Sequence, residues 1–218
     1  MGTITLTFDN GPEPEVTPRV LDILAGHGIL STFFVLGKKM AEPDRRALAV
    51  RAHEAGHWIG NHTWTHEVPL GLSTDPEAPE KEIGETQKLI GALAHPDRLF
   101  RPFGQGGNLD GRILSPAARD YLIDGGYSCV LWNSVPGDWK EGDGWYDQAL
   151  ADVAAQDRTL MVLHDLPGAC VDKLDDFIAA ARDAGHSFVQ DFPPDCVPIE
   201  RGVFARPDAM PSPLGVAA

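Results

Sequence analysis

Apolar and polar positions alternate with a period of two in several short runs of this chain, and follow a helical period between them. Ile4-Thr5-Leu6-Thr7-Phe8 is the clearest run of the first kind, alternating and rich in β-branched residues, and is read as a strand. The pattern predicts strands over 3–8, 31–36, 57–61, 98–100, 127–131, 159–164 and 186–189. It predicts helices over 16–26, 43–55, 78–94, 114–124, 145–156 and 171–184. The helix from Pro43 sets Leu48, Val50, Ala52 and Ala55 among charges, an amphipathic arrangement. Gly26, Gly56, Gly125 and Gly185 stand where helices should stop. Strand and helix alternate without a hairpin signal, so a parallel sheet is expected, and seven strands with crossovers point to a barrel-like α/β fold.

The segments 67–79 and 103–112 are Gly-, Pro- and Asp-rich loops. After Asp191 come Pro193, Pro194, Pro198, Pro207, Pro211 and Pro213, which argue against helix or sheet interior. The division expected is one domain over 1–190 and a Pro-rich, irregular tail over 191–218, partly packed on the barrel and frayed at its end. A chain of 218 residues suits a single core burying roughly 70% of the unfolded surface.

Charge narrows the partners. Eighteen basic against 32 acidic residues leave a net charge of −14, which excludes a nucleic-acid face and disfavours anionic polymers. A neutral or cationic small molecule or oligosaccharide fits better. The three cysteines, Cys129, Cys170 and Cys196, lack metal-type spacing and suit a reducing compartment. Met1 runs almost directly into the first strand, and no apolar run nears the ~20 residues a membrane span needs. The expectation is a cytoplasmic protein with no membrane partner; nothing in the sequence fixes its oligomeric state.

Three strand ends carry polar residues. Asp9 and Asn10 fall where the first strand stops at Gly11-Pro12, a position that turn chemistry alone would also explain. His62 and His66 lie four apart, able to converge on one zinc-like ion or to be surface histidines. Leu160-Met161-Val162-Leu163-His164-Asp165 is a buried-type strand ending on a histidine. One rim of an α/β barrel is where catalytic groups gather. With Phe100-Arg101-Pro102-Phe103-Gly104 and the stretch from Trp132 through Asp138-Trp139, these pieces occur in an order that resembles the polysaccharide deacetylase family, the NodB-homology carbohydrate esterases of family 4.

The resemblance implies a distorted, incomplete (β/α) barrel with about seven parallel strands and a metal-dependent amide hydrolase. It implies that His62 and His66 hold a divalent metal, zinc first, with cobalt, nickel or manganese as alternatives. Asp9 would be the general base, His164 the general acid, Arg101 the partner of Asp9 and Asp138 the partner of His164. Trp139 and Val162 would line the acetyl pocket. The arginine segment departs from the family order: aligned without a gap, Gly104 supplies the oxyanion N–H, and aligned on the proline, Phe103 does. Trp64 either stacks on a sugar or packs. The larger departure is Asn10, where the family has a second aspartate as third metal ligand; an amide oxygen is a poorer zinc ligand. Because Asp9, Arg101, Asp138 and His164 all remain, a working metal site is the reading adopted. The reaction expected is N-deacetylation of an N-acetylated amino sugar or short oligosaccharide. The alternatives are a cyclic amide or imide hydrolase resembling allantoinases, and a catalytically weak binding homologue. His27, His53, His57, His95 and His186 are read as structural.

Overall fold

The computed structural model describes residues 1–140, 142 and 144–211. Among these residues seven strands run parallel: β1 (Thr3–Asp9), β2 (Thr32–Val35), β3 (Trp58–Asn61), β4 (Leu99–Phe100), β5 (Ser128–Cys129), β6 (Arg158–His164) and β7 (Ser187–Phe188). Two more, β8 (Ile199–Glu200) and β9 (Val203–Phe204), form an antiparallel pair beside β5. The sheet order is β6-β1-β2-β3-β4-β5-β8-β9. Near its start β1 pairs with β7 at Thr3 and Ile4, and near its end with β2 at Thr7 to Asp9. A single bridge, Ser134 to Met161, ties the segment after β5 back to β6. The barrel is therefore distorted and incomplete.

Helices α1 (Thr17–His27), α2 (Gly37–Met40), α3 (Pro43–Glu54), α4 (Glu85–Ile90), α5 (Pro116–Asp124), α6 (Gly144–Ala155) and α7 (Leu174–Asp183) complete the framework. Ile4, Leu6 and Phe8 of β1 pack into one large core with Val20, Leu21 and Leu24 of α1 and Phe177 and Ile178 of α7. Because side chains alternate along a strand, Thr5, Thr7 and Asp9 turn to the barrel interior instead. A smaller apolar cluster of Phe34, Leu99, Val130, Leu160 and Cys196 packs separately. The guanidinium of Arg101 lies 4.0 Å over the Phe34 ring, so a fully buried cation rests on an aromatic face.

Several expectations need correction. The helix expected over 78–94 is broken into a π-helical turn at Glu80–Gly84, the short α4 and a 3-10 turn at Gly91–Leu93. The wider turn leaves the Ile83 carbonyl to accept from Asn61 Nδ2 at 2.9 Å. The first helix stops not at Gly26 but at Gly28, whose φ of 63° is the left-handed conformation of a C-cap. In α3 the buried residues are Ala49 and Ala52, while Leu48 and Val50 are only half-buried. The segment after Asp191, read as irregular, supplies β8 and β9 and buries Cys196, Ile199 and Met210. Its prolines permit this because Pro194, Pro198 and Pro207 flank the two-residue strands rather than interrupt them. Residues 212–218 of that tail, Pro213 included, lie outside the described residues.

Candidate active site

Strand register assembles the site. Asp9, the last residue of β1, pairs with His164, the last residue of β6. Asn61, ending β3, pairs with Phe100, ending β4, so His62 and Arg101 emerge side by side on the same rim. The Arg101 amide donates to the Asn61 carbonyl at 2.9 Å. Around these ends lies a cavity of about 270 Å³, lined by Asp9, Asn10, His62, His66, Phe103, Gly104, Trp139, Val162 and His164 together with Trp132, Val135 and Leu166.

Asp9 is buried, with its Oδ1 accepting from Arg101 Nη1 at 2.9 Å. Burial alone would raise its carboxyl, but Arg101, with His62 and His164 behind it, outweighs burial and holds Asp9 below its ordinary range. Arg101 is fixed in turn: Nη1 also donates to Thr7 Oγ1 at 2.6 Å, Nε to the Val130 carbonyl at 3.2 Å and Nη2 to the Leu131 carbonyl at 3.3 Å.

His164 is the counterpart. Its Nδ1–H donates to Asp138 Oδ1 at 2.7 Å, and its backbone N–H to Asp138 Oδ2 at 2.8 Å. Burial works against the charged ring, but the bond to Asp138 prevails and the imidazole sits above its ordinary range. The opposite nitrogen, Nε2, is left for the cavity. Trp139 meets the His164 ring edge-on, centroids 4.8 Å apart, and is 38% exposed at the rim rather than part of the core.

His62 Nδ1–H donates to the Arg101 carbonyl at 2.8 Å, which fixes the tautomer and leaves Nε2 with a lone pair, 3.5 Å from Asp9 Oδ2. Its ring centroid lies 4.9 Å from that of His66. Burial pushes both imidazoles down, His66 to about 3. Both are neutral near neutral pH, the state in which imidazole binds a metal. Among the described residues no three His, Cys, Asp or Glu side chains converge as a metal site. A further donor on this cavity is Asn10, whose buried Oδ1 has no hydrogen-bond partner among the described residues. Two neutral imidazoles and one orphaned amide oxygen fit a divalent cation, with a neutral third donor.

The Phe103 ring stacks on His66, centroids 3.8 Å apart, and Gly104 has no room for a side chain, since a Cβ would collide with the Asn108 carbonyl. Trp64 does not reach the cavity. Its indole lies over Gly37, where an added Cβ would come within 2.5 Å of the ring. The candidate sugar-stacking residue is thus a packing residue.

Sequence reasoning passed over three contributors. Trp132 Nε1 donates to the Gly107 carbonyl at 2.8 Å and anchors the loop that walls the cavity. Asp165 sits wedged against Gly11; burial pushes its carboxyl up to about 7, and Thr17 Oγ1 donates to it at 2.5 Å. Its place directly after His164 was a usable signal. Glu82 accepts from the backbone of Trp64 and Thr65. Nothing in spacing pointed to it, because it belongs to a broken helix.

A family model described as polysaccharide deacetylase matches residues 1–115. The chain is 37% identical over 165 residues to a chitooligosaccharide deacetylase of Rhizobium leguminosarum bv. trifolii, covering 74% of this chain and 71% of the relative. It is 29% identical over 188 residues to the peptidoglycan-N-acetylglucosamine deacetylase PgdA of Listeria monocytogenes, covering 85% of this chain but 37% of that longer protein. A family 4 acetyl xylan esterase from Clostridium thermocellum, solved with a cobalt ion, superposes with a TM-score of 0.69 at 28% identity, covering 86% of this chain and 87% of its own. With strand order, rim chemistry and these similarities in agreement, the chain belongs to the polysaccharide deacetylase family.

Proposed function

We propose that this protein is a metal-dependent N-deacetylase of an N-acetylated amino sugar or short oligosaccharide. The observation that carries the reading is the meeting of two oppositely biased pairs on one cavity: Asp9 bonded to Arg101, which holds its carboxyl below the ordinary range, and His164 bonded to Asp138, which raises its imidazole above the ordinary value. The Rhizobium relative named a chitooligosaccharide deacetylase supports the substrate class, and the cobalt-bound Clostridium structure supports the metal.

His62, His66 and the amide oxygen of Asn10 would hold the ion, which when bound supplies Lewis acidity toward the acetamide carbonyl and the attacking water. Asp9 accepts a proton from that water as its oxygen adds to the carbonyl carbon. Arg101 keeps the carboxylate ionised and aimed. A backbone N–H at Phe103 or Gly104 meets the oxyanion; neither amide donates to an acceptor among the described residues. As the C–N bond breaks, His164 gives its Nε2 proton to the nitrogen, so a neutral amine leaves beside acetic acid, which loses its proton to solvent as acetate. Trp139, Val162 and Leu166 form the apolar wall suited to the acetyl methyl. The net charge of −14 favours a neutral sugar over an anionic polymer.

Incubating zinc- or cobalt-loaded protein with N-acetylglucosamine oligomers tests this. The expected outcome is acetate release that a chelator abolishes and added metal restores. Ring opening of hydantoin-like substrates in place of acetate release would favour the cyclic-amide alternative.

A further inference from the structure

The turn carrying the two imidazoles has every backbone N–H from residue 62 to residue 67 accounted for. His62 donates to the Val35 carbonyl at 3.0 Å, Thr63 to Asn61 Oδ1 at 3.0 Å, His66 to Thr63 Oγ1 at 3.2 Å and Glu67 to Thr65 Oγ1 at 3.2 Å. The two at the centre, Trp64 and Thr65, both donate to Glu82 Oε2 at 2.9 Å, and the Thr65 hydroxyl donates to Glu82 Oε1 at 2.8 Å. On the other side, the carbonyls of Thr63 and Trp64 accept from Gly37 and Lys38 at the start of α2, at 2.9 and 3.1 Å. The turn is clamped between α2 and the π-helical turn that bears Glu82.

The clamp has something to hold. Thr63 and His66 have φ of 72° and 57°, left-handed conformations that L residues keep only when their surroundings over-determine them. Those two residues set the direction in which the second imidazole leaves the chain. An anionic acceptor makes stronger bonds to backbone N–H than a neutral one, and one carboxylate here takes three donors. A π-turn placed next to a functional loop is a recurring arrangement. Its second strap, Asn61 Nδ2 to the Ile83 carbonyl, is independent of the Glu82 side chain.

We propose that Glu82 is the positioning residue of the divalent-metal centre: its carboxylate fixes the 63–66 turn so that His66 faces the cavity beside His62. This inference rests on the metal-dependent reading above. Glu82 touches neither substrate nor metal; it acts through the turn.

Cobalt binding to the whole protein, followed by chelator competition and visible absorption, tests the proposal on wild type, Glu82→Ala, Glu82→Gln and Glu80→Gln. Glu80 lies in the same π-turn but bonds Tyr121 at 2.6 Å and Lys88 at 2.7 Å, not the metal turn. Glu82→Ala should weaken cobalt binding about 10–100-fold and alter the cobalt spectrum. Glu82→Gln, retaining one neutral acceptor oxygen, should fall between and serves if the alanine variant does not fold. Glu80→Gln should bind as wild type. In metal-free protein, Glu82→Ala should speed hydrogen exchange at the Trp64 and Thr65 amides while those of β1 and β6 stay protected. Wild-type affinity and spectrum in Glu82→Ala, or equal weakening in Glu80→Gln, would overturn the inference alone. A wild-type protein that takes up no cobalt would overturn the metal reading and this inference with it.

Discussion

Asp9–Arg101 and His164–Asp138 are both carboxylate–cation pairs, and their members Asp9 and His164 end adjacent strands in register, yet they are built in opposite senses. In the first the cation is the deeper member: the Arg101 side chain is fully buried and the Asp9 carboxylate faces the cavity. In the second the carboxylate is deeper, the Asp138 side chain being fully buried while His164 keeps 11% exposure at the cavity wall. The chemistry differs with the geometry. A guanidinium cannot give up its proton, so it makes its partner a permanent anion; a carboxylate behind an imidazole holds a proton that can still be passed on. The proposed base and acid can therefore occupy neighbouring positions at one pH because each is biased from behind.

The comparison breaks most directly when the facing members are removed. Asp9→Asn and His164→Ala should each lower the rate of acetate release by about 10²–10⁴, measured at saturating substrate; a loss confined to KM would mean the residue binds rather than transfers a proton. The next largest effect sharpens the acid half. The proposed roles require Asp9 deprotonated and His164 protonated, so kcat/KM should rise through a limb below the ordinary carboxylate range and fall through one above the ordinary histidine value. Asp138→Asn removes the cause of the raised His164 value, and its alkaline limb should move to lower pH while the acid limb stays. An alkaline limb that did not move would assign it to another group. The smallest expected effect concerns Asn10. Asn10→Asp adds a charged donor where the orphaned amide oxygen now lies and should tighten zinc or cobalt binding on the order of tenfold; unchanged affinity in calorimetry would mean position 10 points away from the ion.

The rim residues were legible because strand patterning is local. Asp9 ends an alternating run, His164 ends a continuous apolar one and Arg101 follows an apolar pair, so their place at strand ends followed from where the strands stop; their pairing with one another was implied by the family resemblance alone. What lay beyond the strands was not legible. The choice between stacking and packing for Trp64 stayed open because period-two reasoning does not carry into a turn with left-handed residues at Thr63 and His66. Glu82 was invisible because the helical period over 78–94 gives no sign of a π-turn, whose shape is set by bonds to a turn some twenty residues upstream. β8 was missed because its prolines flank the strand at positions that need no ladder bond, so composition suggested an irregular tail where register supplied an edge.

An anomalous-scattering map of zinc-soaked crystals tests the central claim most directly, which is that the two neutral imidazoles share one divalent ion beside the Asp9 carboxylate. The account predicts a single strong peak about 2.0–2.1 Å from His62 Nε2 and from a ring nitrogen of His66, with the Asn10 amide oxygen as the third protein donor. A map with no peak on that rim, or with zinc bound only elsewhere on the protein, would contradict it.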